Sequence, residues 1–285
     1  MPKPAHMSNS QLSSWLRCGK SYQLSRILGA PSKPATWLVA GTALHEAIYQ
    51  VNLSHTGQID EVDPVLEFEK AFDIEVGKTV AETGLPTSQW KTAGRTSREK
   101  PNKEDATWWR MDGARQVREY ATWLQDSGWS LFELDGKPLV EFETTTEFGG
   151  MPVKGFLDAV MVTPDGELRV VDYKSGTKPS ARVQLGMYAS ALKRLLEIDI
   201  LAGNYFMTRK AEMTDDYDLT RFTPAYFDKI FSQAKKAIDL DIFLPNPGNA
   251  CFLCDVADYC YANGGALAFQ MDPDHPQYTP KNKEE

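Results

Sequence analysis

The chain has 285 residues, 42% of them hydrophobic and 11% aromatic, enough to bury a sizeable core as one large domain or two small ones. A net charge of −8 is the wrong sign for holding nucleic acid through the global field, so any such contact has to come from local basic clusters. No apolar run approaches the roughly 20 residues that span a bilayer, and residues 1–10 lack the apolar centre of a signal peptide, which points to a cytoplasmic protein without a membrane segment.

Residues 10–28 read as a helix carried by Leu12, Trp15, Leu16, Tyr22 and Leu24, open to interruption at Gly19 and ended by Gly29-Ala30-Pro31. Residues 41–52 put Leu44, Ile48 and Val51 on a buried stripe and leave His45 at its edge. A histidine in that place is more often a hydrogen-bonded packing residue than a ligand. Residues 63–83 and 102–126 are further helices, the second with Trp108, Trp109, Val117, Tyr120 and Trp123 on its apolar side. Between them 84–101 reads as a mobile basic loop, with Lys91, Arg95, Arg98, Lys100 and the following Lys103. The block 55–132 is thus a helical insertion, open to two readings: a lid packed for stability, or an arch that binds a strand by stacking and charge.

From Pro138 the pattern becomes alternating. Residues 139–148 read as a strand, Gly149-Gly150 as a turn, and 155–174 as a hairpin around Thr163-Pro164-Asp165-Gly166-Glu167. Proline presets φ for a type I turn and glycine supplies a left-handed residue, which predicts a three-residue loop with Thr163 opposite Glu167. Counting outward, Val162 meets Leu168, Val160 meets Val170, and Asp158 meets Asp172 on one side of the pleat, with Lys174 two residues on. A two-residue turn would slip the register by one and part the carboxylates. Two carboxylates at the end of an apolar face repel and resist desolvation unless a divalent cation sits between them. Hard oxygen donors suit Mg²⁺ or Mn²⁺, although the spacing alone supports a buried Asp–Lys ion pair equally well. Residues 180–196 then form a helix with Gln184 and Tyr188 on one face, 200–208 a strand, and 223–240 an amphipathic helix. A second basic cluster, Lys174, Lys178 and Arg182, runs into that first helix.

Three of the four cysteines, Cys251, Cys254 and Cys260, fall within ten residues as C-x2-C-x5-C, and Cys18 stands alone near the other end. In a cytosolic protein this density points to a metal site rather than disulfides. Composition alone favours Zn²⁺ over a [4Fe-4S] cluster. Joining Cys18 to the distal three would tie both ends of the chain together. The Pro-, Lys- and Glu-rich 271–285 reads as a disordered tail.

Taken in order, His45 in GTALHEAI, Asp158 in GFLDAV, Asp172 and Lys174 in VVDYKSG, and Gln184 and Tyr188 in QLGMY resemble the RecB-like branch of the PD-(D/E)XK nuclease superfamily. The early cysteine and late C-x2-C-x5-C resemble the iron-sulfur members of that branch, which include the AddB nuclease domain, the CRISPR-adaptation nucleases and phage relatives. Cys18-Gly19 replaces the usual Cys-Pro, and residues 55–136 match nothing in the resemblance.

The resemblance implies an α/β (α+β) fold with a central mixed sheet flanked by helices, as a single domain over 1–270. Its catalytic core would be 138–210, and its cluster-bearing elements 10–30 and 245–264. It further implies that His45, Asp158, Asp172 and the backbone carbonyl of Tyr173 ligate Mg²⁺ or Mn²⁺. Lys174 would activate or position the attacking water, and Gln184 and Tyr188 would shape the substrate end. Cys18, Cys251, Cys254 and Cys260 would hold [4Fe-4S] in place of Zn²⁺. The expected activity is that of a metal-dependent DNA exonuclease preferring single-stranded ends, in recombination, repair, replication or phage DNA processing. The alternative is a DNA-end-binding or CRISPR-adaptation-type factor that cuts little. No G-x-x-x-x-G-K-[S/T] loop is present, so opening a duplex would fall to a helicase or recombinase partner.

Overall fold

The structure, a computed structural model, describes residues 4–94 and 103–279. In chain order the helices are α1 (Asn9–Arg17), α2 (Gly19–Tyr22), α3 (Thr36–His55), α4 (Pro64–Thr83), α5 (Ala106–Asp126), α6 (Val183–Leu196), α7 (Pro224–Asp239) and α8 (Ala268–Met271). The strands are β1 (Ser130–Leu131), β2 (Glu133–Leu134), β3 (Lys137–Pro138), β4 (Val140–Phe148), β5 (Met151–Val162), β6 (Leu168–Lys174), β7 (Ala202–Met207), β8 (Glu212–Met213) and β9 (Tyr217–Asp218). Seven strands form a mixed sheet ordered β1-β5-β6-β7-β8, with β4 also on β5 and β9 also on β7, while β2 and β3 pair separately. This is the expected mixed sheet flanked by helices. Among the described residues no helix is long and apolar enough to cross a membrane.

The chain divides into two compact units, residues 1–32, 145–155 and 224–285 in one and 33–144 and 156–223 in the other. In the larger unit α3, α4 and α5 share one core with the sheet, built from residues such as Val39, Leu44, Ile48, Phe68, Trp109, Val117, Val171 and Phe206. Helix α4 starts where Asp63 accepts the N–H groups of Val65 and Leu66 ahead of Pro64, and stops at Gly84 in the left-handed conformation. Such a cap is worth about 1 kcal/mol. Helix α5 starts at Asp105, which accepts the Trp108 N–H. Of the two readings of the insertion, packing is what its helices display. Lys91 of the basic loop is fastened, its N–H donating to Pro34 O at 2.8 Å. Arg95, Arg98 and Lys100 lie outside the described residues.

The hairpin has the register the turn predicts. Val162 pairs with Leu168 and Ala159 with Val171, Thr163 N–H donates to Glu167 O at 2.9 Å, and Gly166 has φ +85°. From β6 the chain crosses through α6 into β7, which lies parallel to β6 with Asp172 level with Tyr205 and Lys174 level with Met207. Gly203 makes this possible, since a Cβ there would come 2.7 Å from Val170 O.

In the smaller unit the first helix breaks at Cys18, one residue before Gly19. Cys18 is extended, with φ −165°, and caps α2 by accepting the Ser21 N–H on its sulfur. Gly19 is required for a different reason: a Cβ there would lie 2.9 Å from the Leu244 nitrogen. The start of the segment expected to be a disordered tail is packed, while residues 280–285 lie outside the described residues. Asp272 is fully buried, where Oδ1 takes Lys20 Nζ at 3.1 Å and Oδ2 the Tyr261 N–H at 2.8 Å. Pairing with a buried lysine offsets part of the cost of taking the Asp272 carboxylate out of water.

Candidate functional site

Five elements of the larger unit bring polar side chains together. Strand β6 alternates, sending Tyr173 into the α3–α5 core, where its hydroxyl meets Asn52 Nδ2 at 3.2 Å and the Tyr120 hydroxyl at 3.0 Å. Its neighbours Asp172 and Lys174 therefore share the opposite face. Asp172 is almost fully buried, with Oδ1 accepting from Gln184 Nε2 of α6 at 2.6 Å and Oδ2 lying 2.5 Å from Lys174 Nζ. That second contact is a close ion pair, and Asp172 Oδ2 has no other partner among the described residues. Tyr188, one turn beyond Gln184, is also buried.

Asp158 stands at the end of the β5–β6 ladder. Its Oδ2 accepts the Tyr173 N–H at 2.7 Å, and its Oδ1 lies 3.4 Å from His45 Nδ1. His45 thus leaves the edge of the α3 stripe for the carboxylates, and Glu141 Oε1 approaches the same Nδ1 at 3.4 Å. His45, Glu141 and Asp158 each offer a donor atom within 4.8 Å of the others.

Charge crowding shows in the titration of these groups. Burial, together with the Asp158 carboxylate, pushes Asp172 up to about 7 despite Lys174 and His45. For His45 burial alone would lower the pKa, but Asp158 and Glu141 outweigh it and hold the imidazole well above its ordinary range. Burial and the same carboxylates raise the Tyr188 phenol. A cluster of crowded carboxylates with a histidine, three of them offering donor atoms within 4.8 Å of one another, fits a divalent cation chemically.

Two residues here escape the sequence reading. Glu141 sits in the polar phase of an alternating strand and looks like any outward glutamate, yet its φ is +44°. A non-glycine residue held there is strained, a feature that collects at functional sites. Tyr205 of β7 presents its ring to Lys174, with Nζ 5.7 Å from the centroid. Only the parallel β6–β7 register, a long-range pairing, brings it there.

The four thiols line one cavity of the smaller unit with Ser21, Pro245, Asn246, Pro247 and Val256. Cys18 Sγ accepts N–H bonds from Ser21 at 3.5 Å and Asn246 at 3.4 Å, and Cys251 Sγ accepts one from Gly248 at 3.4 Å. Ser21 Oγ lies 3.6 Å from Cys254 Sγ. All four are free thiols, and among the described residues no three of their sulfurs lie within 4.8 Å of one another.

The family model of the PD-(D/E)XK nuclease superfamily matches residues 6–261. The chain belongs to that superfamily. It is also 32% identical over 266 residues to the Gene 69 protein of Mycobacterium phage D29, covering 89% of this chain and 95% of that protein. To the Gene 69 protein of Mycobacterium phage L5 it is 30% identical over 282 residues, with the same coverage. PD-(D/E)XK nucleases use divalent metals, and the His45–Glu141–Asp158 group supplies donors of that kind.

Proposed function

We propose that this PD-(D/E)XK protein is a metal-dependent deoxyribonuclease acting as an exonuclease, with a preference for single-stranded ends. The observation that carries the reading is Asp172, buried and 2.5 Å from Lys174 Nζ, on the strand whose Tyr173 N–H is taken by the Asp158 carboxylate. His45, Asp158, Asp172 and the Tyr173 carbonyl are the ligand set we assign, and Glu141 joins it on its distance to His45. A divalent cation bound there supplies charge neutralisation at the phosphate and a water of lowered pKa.

The protein's own groups do the rest. Lys174, kept beside Asp172 and over the Tyr205 ring, places a positive charge where the scissile phosphate gains negative charge. Gln184 fixes the Asp172 carboxylate, and Tyr188 one turn on shapes the substrate end of the site. The basic positions Lys174, Lys178 and Arg182 supply local attraction for the DNA backbone on a chain of net charge −8.

We read the four thiols as the cage of a [4Fe-4S] cluster. A cubane binds one thiolate at each of its four irons, and four cysteines lining one cavity supply that number. Backbone N–H bonds to Cys18 and Cys251 are of the kind that tune such clusters. A protein of this kind acts in a cytoplasm, including that of a phage-infected host, and relies on a helicase or recombinase to expose single strands.

One digestion series tests the activity: end-labelled single-stranded, duplex and circular DNA with Mn²⁺ or Mg²⁺, against binding to the same DNA in EDTA. Mononucleotides or short oligomers from linear single strands, with circles spared, support an exonuclease. Cutting of circles makes it an endonuclease, and binding without cutting makes it an end-binding factor.

A further inference from the structure

Arg209 makes a set of contacts that the site described above does not use. Its Nε–H donates to the carbonyl of Ser175, the residue after Lys174, at 2.6 Å. Its Nη1 and Nη2 clasp Glu104 at 3.0 and 2.8 Å, and its Cζ lies 5.1 and 4.8 Å from the ring centroids of Trp108 and Trp109. Bidentate carboxylate pairing and stacking on indoles are the contacts that hold a guanidinium in one orientation. The forked edge that would clasp a phosphate is occupied by Glu104, so this arginine, though near the site, is not built as a DNA clamp.

The same end of β6 is fixed at each neighbouring residue. Thr208 N–H donates to the Lys174 carbonyl at 3.1 Å, and the Thr208 hydroxyl is committed to Gln116 of α5 at 2.5 Å. One residue earlier, Tyr173 is anchored by Asn52 and Tyr120. Residues 104–120, which carry no motif of the family resemblance, therefore grip the backbone from which Lys174 projects.

We propose that Arg209 is a positioning residue for Lys174. By pinning the Ser175 carbonyl it sets where the chain leaves β6, and hence keeps Nζ beside Asp172 and over Tyr205. Glu104, Trp108 and Trp109 keep Arg209 itself in place. The role rests on the nuclease reading for its consequence in catalysis, but the positioning stands without it.

The test compares Arg209→Ala, Arg209→Lys and the milder Glu104→Gln with wild type, using Arg169→Ala, a half-buried arginine paired with exposed Asp216, as the control. Two quantities are read: cleavage of single-stranded DNA in Mn²⁺, and the acetylation rate of Lys174 by acetic anhydride in metal-free, DNA-free protein, followed by peptide mass spectrometry. Displacing a catalytic group by about 1 Å costs on the order of 100-fold. Arg209→Ala is therefore expected to lower kcat by roughly 10- to 100-fold with KM nearly unchanged. Arg209→Lys should restore part of the loss, and Glu104→Gln should show a smaller one. Lys174 should acetylate several-fold faster in Arg209→Ala as its ion pair loosens, and at the wild-type rate in the control. An increase in KM alone, with a weaker salt dependence, would make Arg209 a phosphate contact and overturn the proposal. So would an unchanged acetylation rate in a folded Arg209→Ala protein. If wild type itself cuts no DNA the nuclease reading fails, while the acetylation rates still decide the positioning.

Discussion

Asp158 accepts, at 2.7 Å, the N–H of Tyr173 that the alternation of an antiparallel pair would give to the carbonyl of Leu157. The side chain thus closes the ladder whose last registered pair is Ala159 with Val171. One carboxylate thereby does two jobs, ending a sheet pairing with Oδ2 and facing His45 with Oδ1.

Substitutions at Asp158 should separate those jobs. Asp158→Asn keeps an acceptor for Tyr173 and loses the charge, so it should fold with near wild-type stability yet lose more than about 100-fold in metal-dependent cleavage. Asp158→Ala orphans a buried N–H and should cost a further 1–3 kcal/mol, roughly, in urea unfolding. Equal stability of the two variants would contradict this division.

The metal-free protein should lose stability as pH rises. Asp172 is raised to about 7, so its contribution is full below the ordinary carboxylate range near 4 and lost as pH rises through about 7. His45 is raised as well, and its contribution is full below its ordinary 6.5 and lost through its higher folded value. Both act in one direction, so the Tm of chelated protein should fall between about pH 5 and 8. Added Mn²⁺ should raise Tm most at the alkaline end, where binding no longer displaces protons. A pH-independent Mn²⁺ shift in scanning calorimetry would count against the carboxylate–histidine site.

Glu141 should trade stability for function. Glycine adopts φ near +44° without strain, so Glu141→Gly should gain about 0.5–1 kcal/mol despite glycine's extra unfolded-state freedom. It should also weaken Mn²⁺ binding about tenfold, as measured by electron paramagnetic resonance. A stabilised variant with undiminished Mn²⁺ affinity would remove Glu141 from the ligand set.

Protein purified without oxygen should carry roughly four irons per chain and a broad visible absorption, and Cys18→Ser should reduce both. Since Cys18 is the only one of the four cysteines in the N-terminal segment, its loss should also expose residues 4–32 to proteolysis before residues 249–263. Stoichiometric zinc without iron would overturn the cluster.

What was legible in the sequence is what local rules govern. Pro164 and Gly166 dictate the hairpin register, which runs from Val162 with Leu168 to Ala159 with Val171, one step short of Asp158 and Asp172. The spacing of Gln184 and Tyr188 within a helix places both on one face. His45 was visible as a residue at the edge of a stripe, but only its partners Asp158 and Glu141, 113 and 96 positions away, decide its surroundings. Glu141 and Arg209 were hidden for the same kind of reason. A left-handed φ in a strand leaves no mark in alternation, and an arginine gripped by Glu104, Trp108 and Trp109 is a contact made across about a hundred residues of chain. The buried Lys20–Asp272 pair was misread as part of a tail because acidic and proline-rich composition masks a partner at the opposite end of the chain.

The central claim is that Asp172 and Lys174 form a hydrolytic centre. It is tested most directly by single-turnover cleavage of end-labelled single-stranded DNA in Mn²⁺ by wild type, Asp172→Ala and Lys174→Ala, each checked for native circular dichroism. Cleavage by wild type, with the variants folded and slower by at least about 1,000-fold, is the predicted result. Cleavage by both folded variants at the wild-type rate would contradict it.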